Sequence, residues 1–201
     1  MESQNQFQVE EPSEIIQLPE EVINQIAAGE VVERPAHLVK ELVENSIDAK
    51  ATEIAIEFSQ GGRQIRVVDN GIGISPSNLK KALDRHATSK IKHTEDLWKL
   101  KSFGFRGEAL ASISAVSELT LTSRQASEKL GRQIISQYGK SSEVDDRGAP
   151  VGTEVMVRNL FENVPARLKF LKTAAAESGK IKTTLKALAL ANPHVSFRLT
   201  Q

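Results

Sequence analysis

The sequence contains no cysteine among its 201 residues. This absence excludes disulfide bonds and thiolate metal sites, and it fits a reducing compartment. The sequence also has no apolar run long enough to span a membrane. Its N-terminus, MESQNQFQVEEP, is acidic and polar, the opposite of a secretory signal peptide. We therefore expect a cytoplasmic protein that has no membrane partner.

The charges of the chain cancel, because Lys and Arg together number 26 and so do Asp and Glu. No overall field argues for nucleic-acid binding, and any contact with DNA is expected to be weak. With 39% hydrophobic and 26% charged residues, the composition is that of a globular protein. A chain of this length suits one well-cored domain or at most two small ones.

Several catalytic signatures are missing as well. No G-x-x-x-x-G-K-[ST] motif is present, and no G-x-G-x-x-G follows a strand into a helix, which excludes a P-loop and a Rossmann fingerprint. The sequence has no H-E-x-x-H, its four histidines show no metal-ligand spacing, and no serine and histidine are arranged as nucleophile and base.

The apolar patterns predict an α+β fold. We expect a flexible arm over residues 1–14 and one domain over 15–201, in which a mixed, mostly antiparallel sheet is covered by helices on one face. Because the final strand ends abruptly, we expect an N-terminal piece of a longer protein. The predicted helices cover residues 20–28 (closed by Gly29), 35–49, 75–83, a segment from 108 and 174–191. The predicted strands cover 54–58, 64–68, 115–123, 131–138, 153–158 and 195–199, with a turn at Gly61-Gly62 and a polar, turn-rich stretch over 139–150.

The segment KELVENSIDA, residues 40–49, is the most informative part of the chain. Helical spacing places Glu41, Asn45 and Asp48 on one face and apolar residues such as Val43 on the opposite side. The polar stripe could be a solvated helix face. Alternatively, the carboxamide is a hard ligand suited to Mg²⁺ and triphosphate, and a carboxylate one turn away could polarise an attacking water.

The segment DNGIG, residues 69–73, follows a predicted strand and admits two interpretations. It could be only a turn, since Asp-Asn-Gly is strong turn chemistry. Alternatively, Asp69 accepts a hydrogen bond from the exocyclic amine of adenine, while Gly73 lets the flat base approach the backbone.

Three further segments suggest contacts to an anion. Gly104 and Gly107 precede a helix start, where backbone N–H groups could cradle phosphate, although a plain loop-to-helix junction would look similar. Thr88, Ser89 and Lys90 add hydroxyls and a cation in an irregular stretch where a mobile lid would be expected. Gly152-Thr153 opens a strand, and the basic cluster over residues 167–172 favours a solvated helix start over a nucleic-acid contact.

Together these segments closely resemble the N-terminal ATPase domain of the MutL family of DNA mismatch repair proteins, within the GHKL (Bergerat-fold) superfamily. The matching runs are NQIAAGEVVERP (24–35), KELVENSIDA (40–49), DNGIG (69–73), HATSK (86–90), GFRGEAL (104–110), GT (152–153) and VPAR (164–167). They cover the chain from about residue 18 onward, and the runs at 25–32, 87–90 and 104–110 are far more specific to MutL than the other two helix and turn motifs.

The resemblance implies an ATP-binding fold that uses ATP and Mg²⁺. It implies that Glu41 is the general base, that Asn45 completes Mg²⁺ coordination, that Asp48 has a supporting role, and that Asp69, Gly73 and Thr153 hold adenine. It further implies a lid over the phosphates, formed by Thr88, Ser89, Lys90, Gly104, Phe105, Arg106, Gly107, Glu108, Ala109 and Leu110.

The resemblance also implies partners and limits. In this family a lysine from the following domain reaches the γ-phosphate, and neither that transducer domain nor the C-terminal dimerisation domain is present here, so we expect slow, incomplete hydrolysis. Expected partners are a second copy, a mismatch-recognition protein of the MutS type, and downstream repair factors. Two alternatives are a histidine kinase catalytic domain, which lacks a preceding phosphoacceptor helix, and a matchmaker that has lost nucleotide chemistry, against which the intact Glu41 and Asn45 argue.

Overall fold

The computed structural model describes residues 15–91, 93–99, 102–104 and 106–201, so the predicted arm over residues 1–14 lies outside it. Within these residues eight strands form one sheet, namely β1 Glu53–Ser59, β2 Gln64–Asp69, β3 Glu118–Arg124, β4 Gly131–Gln137, β5 Lys140–Ser141, β6 Asp145–Arg147, β7 Gly152–Arg158 and β8 Ser196–Thr200. Their order in the sheet is β5-β4-β3-β7-β2-β1-β8, and β6 also pairs with β4. Strand β8 runs parallel to β1, and the other pairs are antiparallel.

The helices pack against one another and on one face of this sheet. The helices are α1 Glu20–Val31, α2 Pro35–Asp48, α3 Pro76–Leu79, α4 Ala109–Ala115, α5 Pro165–Phe170 and α6 Ala174–Ala191. Helix α1 contacts α4, while α2 contacts α6 and lies on β2. Helix α4 also contacts β3. Short 3-10 turns lie at Gln60–Gly62, Lys81–Leu83 and Thr94–Lys99.

The core lies between the helices and the sheet. Alternate residues of β1 are buried, namely Ile54, Ile56 and Phe58, because successive side chains of a strand point to opposite faces. They pack with the apolar side of α2, where Leu38 and Val43 are fully buried. The predicted α+β fold, with a mixed and mostly antiparallel sheet, is confirmed.

The β1–β2 hairpin carries Asp69 to the end of its strand. Gly61 and Gly62 turn the chain with φ of 67° and 90°, a region that glycine enters without steric penalty. The register pairs Ile54 with Asp69, the last residue of β2. The carboxylate therefore lies at the C-terminal end of this strand, beside the C-terminal half of α2. The predicted turn and both predicted strands are confirmed.

The sequence predicted that Gly29 ends the first helix, and this prediction is wrong. Helix α1 continues to Val31, and Gly29 is buried within it. A Cβ at Gly29 would overlap the guanidinium of Arg167. The glycine therefore gives room for the close approach of this side chain and is not a helix stop.

Arg167 also departs from the prediction of a solvated helix start. Its Nη1 donates to the Val32 carbonyl oxygen at 3.3 Å, and its guanidinium lies 5.9 Å from the centre of the Phe161 ring. The side chain thus closes the C-terminal end of α1 and fastens it to the segment around α5.

Other boundaries also differ from prediction. Helix α4 extends to Ala115 and β3 begins only at Glu118, so residues 115–117 are not strand. The polar stretch 139–150 contains two short strands, β5 and β6, which both pair with β4. Their residues are exposed, so no apolar pattern marks them as strands. The helix expected over 75–83 is broken into α3 and a 3-10 turn.

Candidate functional site

One large cavity, of about 1550 Å³, opens between α2, the ends of β2 and β7, and the segments that flank them. Every predicted site residue that the structure describes lines it. These are Glu41, Asn45, Asp48, Asp69, Gly73, Thr88, Ser89, Lys90, Gly104, Arg106, Gly107, Glu108, Ala109, Leu110 and Thr153. Phe105 lies outside the described residues. Residues distant in sequence therefore meet at a single site.

Asp69 lines the cavity as a buried carboxylate at the end of β2, 8% exposed. Its Oδ1 accepts from the backbone N–H groups of Gly71 at 2.9 Å and Thr153 at 3.2 Å, and its Oδ2 accepts from Ser46 Oγ at 2.8 Å. Burial raises the pKa of Asp69, and these three hydrogen bonds partly counteract it. The contacts fix the orientation of the carboxylate and leave Oδ2 able to accept a further bond.

A row of polar side chains extends from Asp69 across the sheet. Asp69 is opposite Thr153 in the β2–β7 pair, and Thr153 is opposite Ser123 in the β3–β7 pair. Residues directly opposite on one face of an antiparallel pair have adjacent side chains. Ser123 Oγ lies 2.9 Å from Thr153 Oγ1, 2.8 Å from the Gly152 carbonyl oxygen, and accepts from the N–H of Ile74 at 2.8 Å.

Glycine is required where the backbone walls of this end of the cavity touch. Gly73 has φ of 72°, and a Cβ there would overlap the carbonyl of Arg124. Gly152 has φ of 121°, and a Cβ there would overlap the carbonyl of Asp69. The loop after β2 is thus packed closely against the end of β3, and the start of β7 is packed closely against the end of β2.

Helix α2 presents the predicted polar stripe to the same cavity. Lys90 Nζ donates to Asn45 Oδ1 at 2.9 Å and to Asp48 Oδ2 at 2.6 Å, and the N–H of Phe103 donates to Asp48 Oδ1 at 3.3 Å. The Lys90 and Asp48 side chains are largely buried, 22% and 11% exposed. An ammonium group therefore sits on the amide and carboxylate oxygens that the sequence assigned to a metal-triphosphate site.

Glu41 lies one turn before Asn45 on the same side of α2. Burial raises the pKa of Glu41, and the negative charge of Glu44 raises it further, whereas Lys40, Lys90 and His37 lower it. Glu44 itself is 6% exposed and pairs with Lys40 at 3.0 Å. A carboxylate with a raised pKa is a stronger base than an exposed one, which suits proton abstraction from water.

The predicted lid consists of two segments that contact each other. His86 Nδ1 lies 3.2 Å from Glu108 Oε1, which joins the first segment to the second. Gly107 has φ of 64°, and a Cβ there would overlap the backbone of Ala87. Along the described chain these segments are flanked by the 3-10 turns Lys81–Leu83 and Thr94–Lys99 and by the start of α4.

Three residues of the site had no role in the sequence prediction. Ser46 lies within the α2 motif, where its spacing gave no reason to separate it from a solvated helix side. Ser123 gave no signal, because its importance depends on the β3–β7 register. Glu44 was not assigned any role, although its charge raises the pKa of Glu41.

The donor set is consistent with a metal held mainly by a ligand. Among the described residues no group of three or more His, Asp or Glu side chains could hold a metal ion. Asn45 and Asp48 nevertheless supply hard oxygen atoms and already contact a cation, the Lys90 ammonium. Such a site fits Mg²⁺ that brings phosphate oxygens and waters as its remaining ligands.

No helix within the described ranges is long and apolar enough to cross a membrane.

A cavity lined by a buried strand-end carboxylate and by a polar helix stripe, on a mixed sheet, suits a ligand such as a nucleotide, which carries a base and a charged chain. The sequence profile described as histidine kinase-, DNA gyrase B-, and HSP90-like ATPase matches residues 33–153. The chain therefore belongs to this family.

Within that family the chain is similar to MutL proteins. It is 55% identical over 188 residues to the DNA mismatch repair protein MutL of Neisseria meningitidis and 54% identical over 182 residues to that of Symbiobacterium thermophilum. These alignments cover 93% and 90% of the chain but 29% of each relative. The chain thus spans under a third of the length of the curated relatives that it matches.

Solved structures agree with this assignment. The Aquifex aeolicus MutL ATPase domain complexed with ADP matches with a TM-score of 0.71 and 42% identity, over 85% of this chain and 60% of that one. The N-terminal domain of a DNA repair protein matches with a TM-score of 0.74 and 32% identity, over 88% of this chain and 51% of that one.

Proposed function

We propose that this chain is an ATP-binding and ATP-hydrolysing domain that acts as a nucleotide-driven switch in DNA mismatch repair. The observation that carries the proposal is the cavity itself, whose lining contains both the buried Asp69 carboxylate and the helix stripe of Glu41, Asn45 and Asp48. A nucleotide has a base at one end and a charged phosphate chain at the other, and we assign the base to the strand ends around Asp69 and the phosphates to α2 and the lid segments. The MutL relatives and the ADP complex of the Aquifex domain support this assignment.

Asp69 would select the base. Its fixed Oδ2 can accept from the exocyclic amine of adenine, whereas guanine presents a carbonyl oxygen at the equivalent position and would face the carboxylate with like polarity. Gly73 would lie against the flat face of the ring, and Thr153 would support the same edge of the base.

Glu41 would act as the general base. Its carboxylate would hold a water molecule beside the terminal phosphate and accept a proton as the water attacks. The burial that raises its pKa also makes its charged form depend on nearby cations, namely Lys40, Lys90 and His37. Hydrolysis would therefore respond to the position of Lys90 and hence of the lid.

Asn45 would bind Mg²⁺ when nucleotide is present, and the metal would neutralise the phosphate charge. Because Lys90 now donates to Asn45 and Asp48, it has to leave these oxygens, or share them, as a metal-nucleotide complex binds. Movement of Lys90 would carry the segment from Thr88 onward across the phosphates. In this way nucleotide binding would order the lid, together with Gly104, Phe105 and the residues up to Leu110.

An exposed apolar surface at the N-terminal end of the described chain supports self-association. Six aliphatic side chains before and along α1 are 37% to 99% exposed, namely Ile15, Ile16, Leu18, Val22, Ile23 and Ile26. An exposed cluster of this kind marks an interaction site. We propose that lid closure promotes pairing of two copies through this end, and that the pair then signals to a MutS-type protein and downstream repair factors.

Turnover by this chain is proposed to be slow. The described cavity contains Lys90 but that side chain is engaged by Asn45 and Asp48. By the family resemblance, a lysine that reaches the γ-phosphate belongs to the following domain. A transducer domain and a C-terminal dimerisation domain would follow the domain over 15–201 in the whole protein.

The proposal is tested by nucleotide binding to the 201-residue chain. ATP with Mg²⁺ should raise the melting temperature in a concentration-dependent way, whereas GTP with Mg²⁺ should not. In calorimetry, Asn45→Ala should weaken binding of the magnesium complex of ATP and have less effect on metal-free ADP. A chain that responds equally to ATP and GTP, or to neither, would contradict the proposal, and an unchanged affinity of the Asn45 variant would contradict the metal assignment.

A further inference from the structure

Asp48 is the point at which both lid segments meet helix α2. It is the last residue of α2, and its side chain is 11% exposed. Its Oδ2 accepts from Lys90 Nζ at 2.6 Å, and its Oδ1 accepts from the backbone N–H of Phe103 at 3.3 Å. Lys90 belongs to the first lid segment, residues 86–91, and Phe103 lies at the start of the second. One carboxylate therefore contacts both segments, with a different oxygen for each.

The chain around each of these two donors is shaped by a local hydrogen bond. In the first segment, the backbone N–H of Lys90 donates to Thr88 Oγ1 at 3.2 Å, which bends the chain just before the lysine side chain. In the second, Ser102 Oγ donates to the Gly104 carbonyl oxygen at 3.1 Å, so this bond spans Phe103. The contacts with Asp48 thus come from formed turns in both segments.

Asp48 and Asn45 hold the same ammonium group but differ in charge. Lys90 Nζ donates to the neutral amide oxygen of Asn45 at 2.9 Å and to the negatively charged carboxylate of Asp48. A neutral oxygen can pass from a lysine to a metal-bound triphosphate without a charge conflict. A carboxylate beside the same triphosphate would repel it unless a cation stays between them. The two residues therefore suit different roles when a nucleotide binds.

We propose that Asp48 is a positioning residue that holds both lid segments on α2 and keeps its bond to Lys90 when Asn45 is released for a metal-bound nucleotide. This inference rests on the proposed function, and it assigns Asp48 to the lid and not to the metal or the phosphates. Lys90 would exchange one of its two partners and retain the other. The two segments would then respond to nucleotide as one unit, because both are held by the same carboxylate.

A second link between the segments lies away from α2. His86 Nδ1 is 3.2 Å from Glu108 Oε1, and Gly107 packs against the backbone of Ala87. The His86 side chain is 76% exposed, and exposed ion pairs contribute little to stability. The less exposed contacts at Asp48 are therefore expected to decide where the joined segments sit.

The first test is amide hydrogen exchange, followed residue by residue by NMR on the nucleotide-free 201-residue chain. Asp48→Asn should speed exchange at Phe103 and over residues 86–91 about 10-fold, because one neutral amide oxygen replaces two charged acceptors. Lys90→Met should speed exchange over residues 86–91 but affect Phe103 less, since Asp48 Oδ1 is retained. In the double variant, residues 86–91 should exchange no faster than in the faster single variant, because both changes break the same bond.

A matched control and a fallback variant keep this test specific. Asp146→Asn makes the same chemical change in an ion pair with Arg132, at 3.0 Å on the β4–β6 edge, and should change exchange in neither lid segment. If Asp48→Asn does not fold, Asp48→Ser, which keeps one short acceptor without the charge, takes its place and should free both segments.

The second test separates holding the lid from binding the metal, by calorimetry of ADP with and without Mg²⁺. Asn45→Ala should reduce the gain in ADP affinity that Mg²⁺ provides, whereas Asp48→Asn should keep that gain. With Mg²⁺ and a non-hydrolysable ATP analogue, the Asp48 variant should leave both lid segments less protected than in the parent chain. A general loss of stability would not produce this division between the two variants.

The outcomes distinguish this inference from the proposed function. If the parent chain binds nucleotide but the folded Asp48 variant changes exchange in neither segment or in only one, the role of Asp48 is wrong and the function stands. The role is also wrong if Asp48→Asn abolishes the gain from Mg²⁺ as Asn45→Ala does, since Asp48 would then be a metal ligand. If the parent chain binds neither ADP nor the ATP analogue, the proposed function is wrong.

Discussion

The proposed nucleotide site has a base end, formed by the ends of β2, β3 and β7, and a phosphate end, formed by α2 and the lid segments. These two ends are built in different ways. At the base end, Asp69, Thr153 and Ser123 stand on paired strands, and backbone N–H groups hold the carboxylate. At the phosphate end, the lid segments are held by side chains, through Lys90 on Asp48 and Asn45 and through His86 on Glu108. The base end is complete without ligand, whereas the phosphate end satisfies its charges with the chain's own cation.

The difference shows how one fold could both recognise a ligand and respond to it. A base end that is already in place would bind adenine without an ordering penalty. An end that is held by exchangeable side-chain contacts can instead adopt a second arrangement when phosphate and metal replace them. In the proposed function, affinity for the base therefore comes from one end and switching from the other.

The largest expected effect concerns Glu41. Glu41→Ala should reduce ATP hydrolysis by at least about 100-fold in a longer chain that includes the next domain, because the positioned base is lost. Binding of ATP should be retained, since Asp69 and Asn45 are untouched. Phosphate release and calorimetry measure the two effects, and hydrolysis at the parental rate would show that the base is another residue.

Asp69→Asn should separate binding from folding at the base end. ATP affinity should fall about 10- to 100-fold, because the amide puts a donor where adenine needs an acceptor. The fold should persist, since the new N–H₂ can donate to Ser46 Oγ, whose own proton can turn to the Leu42 carbonyl oxygen at 3.2 Å.

The stability of Asp69→Asn follows from the sign of the pKa shift. Burial raises the pKa of Asp69 in the folded chain, so its contribution to stability is full below its usual pKa and is lost as pH rises through the raised one. At neutral pH the parent chain has to bury a charged carboxylate, and the neutral amide of the variant removes this desolvation penalty. The melting temperature of the variant should therefore equal or exceed that of the parent. A variant that unfolds, or one that binds ATP normally, would contradict this account of the base end.

Lys90→Met should loosen only the phosphate end. Loss of the bonds to Asn45 and Asp48 should speed amide hydrogen exchange of residues 86–91 about 10-fold in the absence of nucleotide. Exchange at Gly71 and Ile74 should not change. Lys80→Met, which removes a more exposed pair with Glu143, is the matched control. Equal acceleration at both ends would mean that the two ends do not differ in the way described.

The smallest effect is expected from Glu44→Gln. The Glu44 charge raises the pKa of Glu41, so its removal should lower that pKa and keep the Glu41 carboxylate available at lower pH. The acid limb of the hydrolysis profile should therefore move to lower pH in a chain with the next domain. Glu162→Gln removes the same charge at a distant ion pair with Arg63 and should leave the profile in place. A shift in the opposite direction would refute the assigned coupling.

The sequence predicted which residues line the cavity better than it predicted the element boundaries. Glu41, Asn45 and Asp69 were expected in one site from the family resemblance, and all three line the same cavity, while their individual roles stay predictions. Gly29 was assigned as a helix stop because its real constraint, the guanidinium of Arg167, lies 138 positions away in the chain. Ser123 was missed for the same reason, since strand register is set by tertiary pairing and not by local pattern.

Hydrogen exchange of the 201-residue chain, with and without Mg²⁺ and a non-hydrolysable ATP analogue, tests the central claim most directly. The account predicts that the amides of Gly71, Ile74 and Thr153 are protected before nucleotide is added and change little on binding, whereas residues 86–91 and 106–110 gain protection. Base-end amides that exchange freely until nucleotide binds, together with lid amides that are already protected, would contradict it.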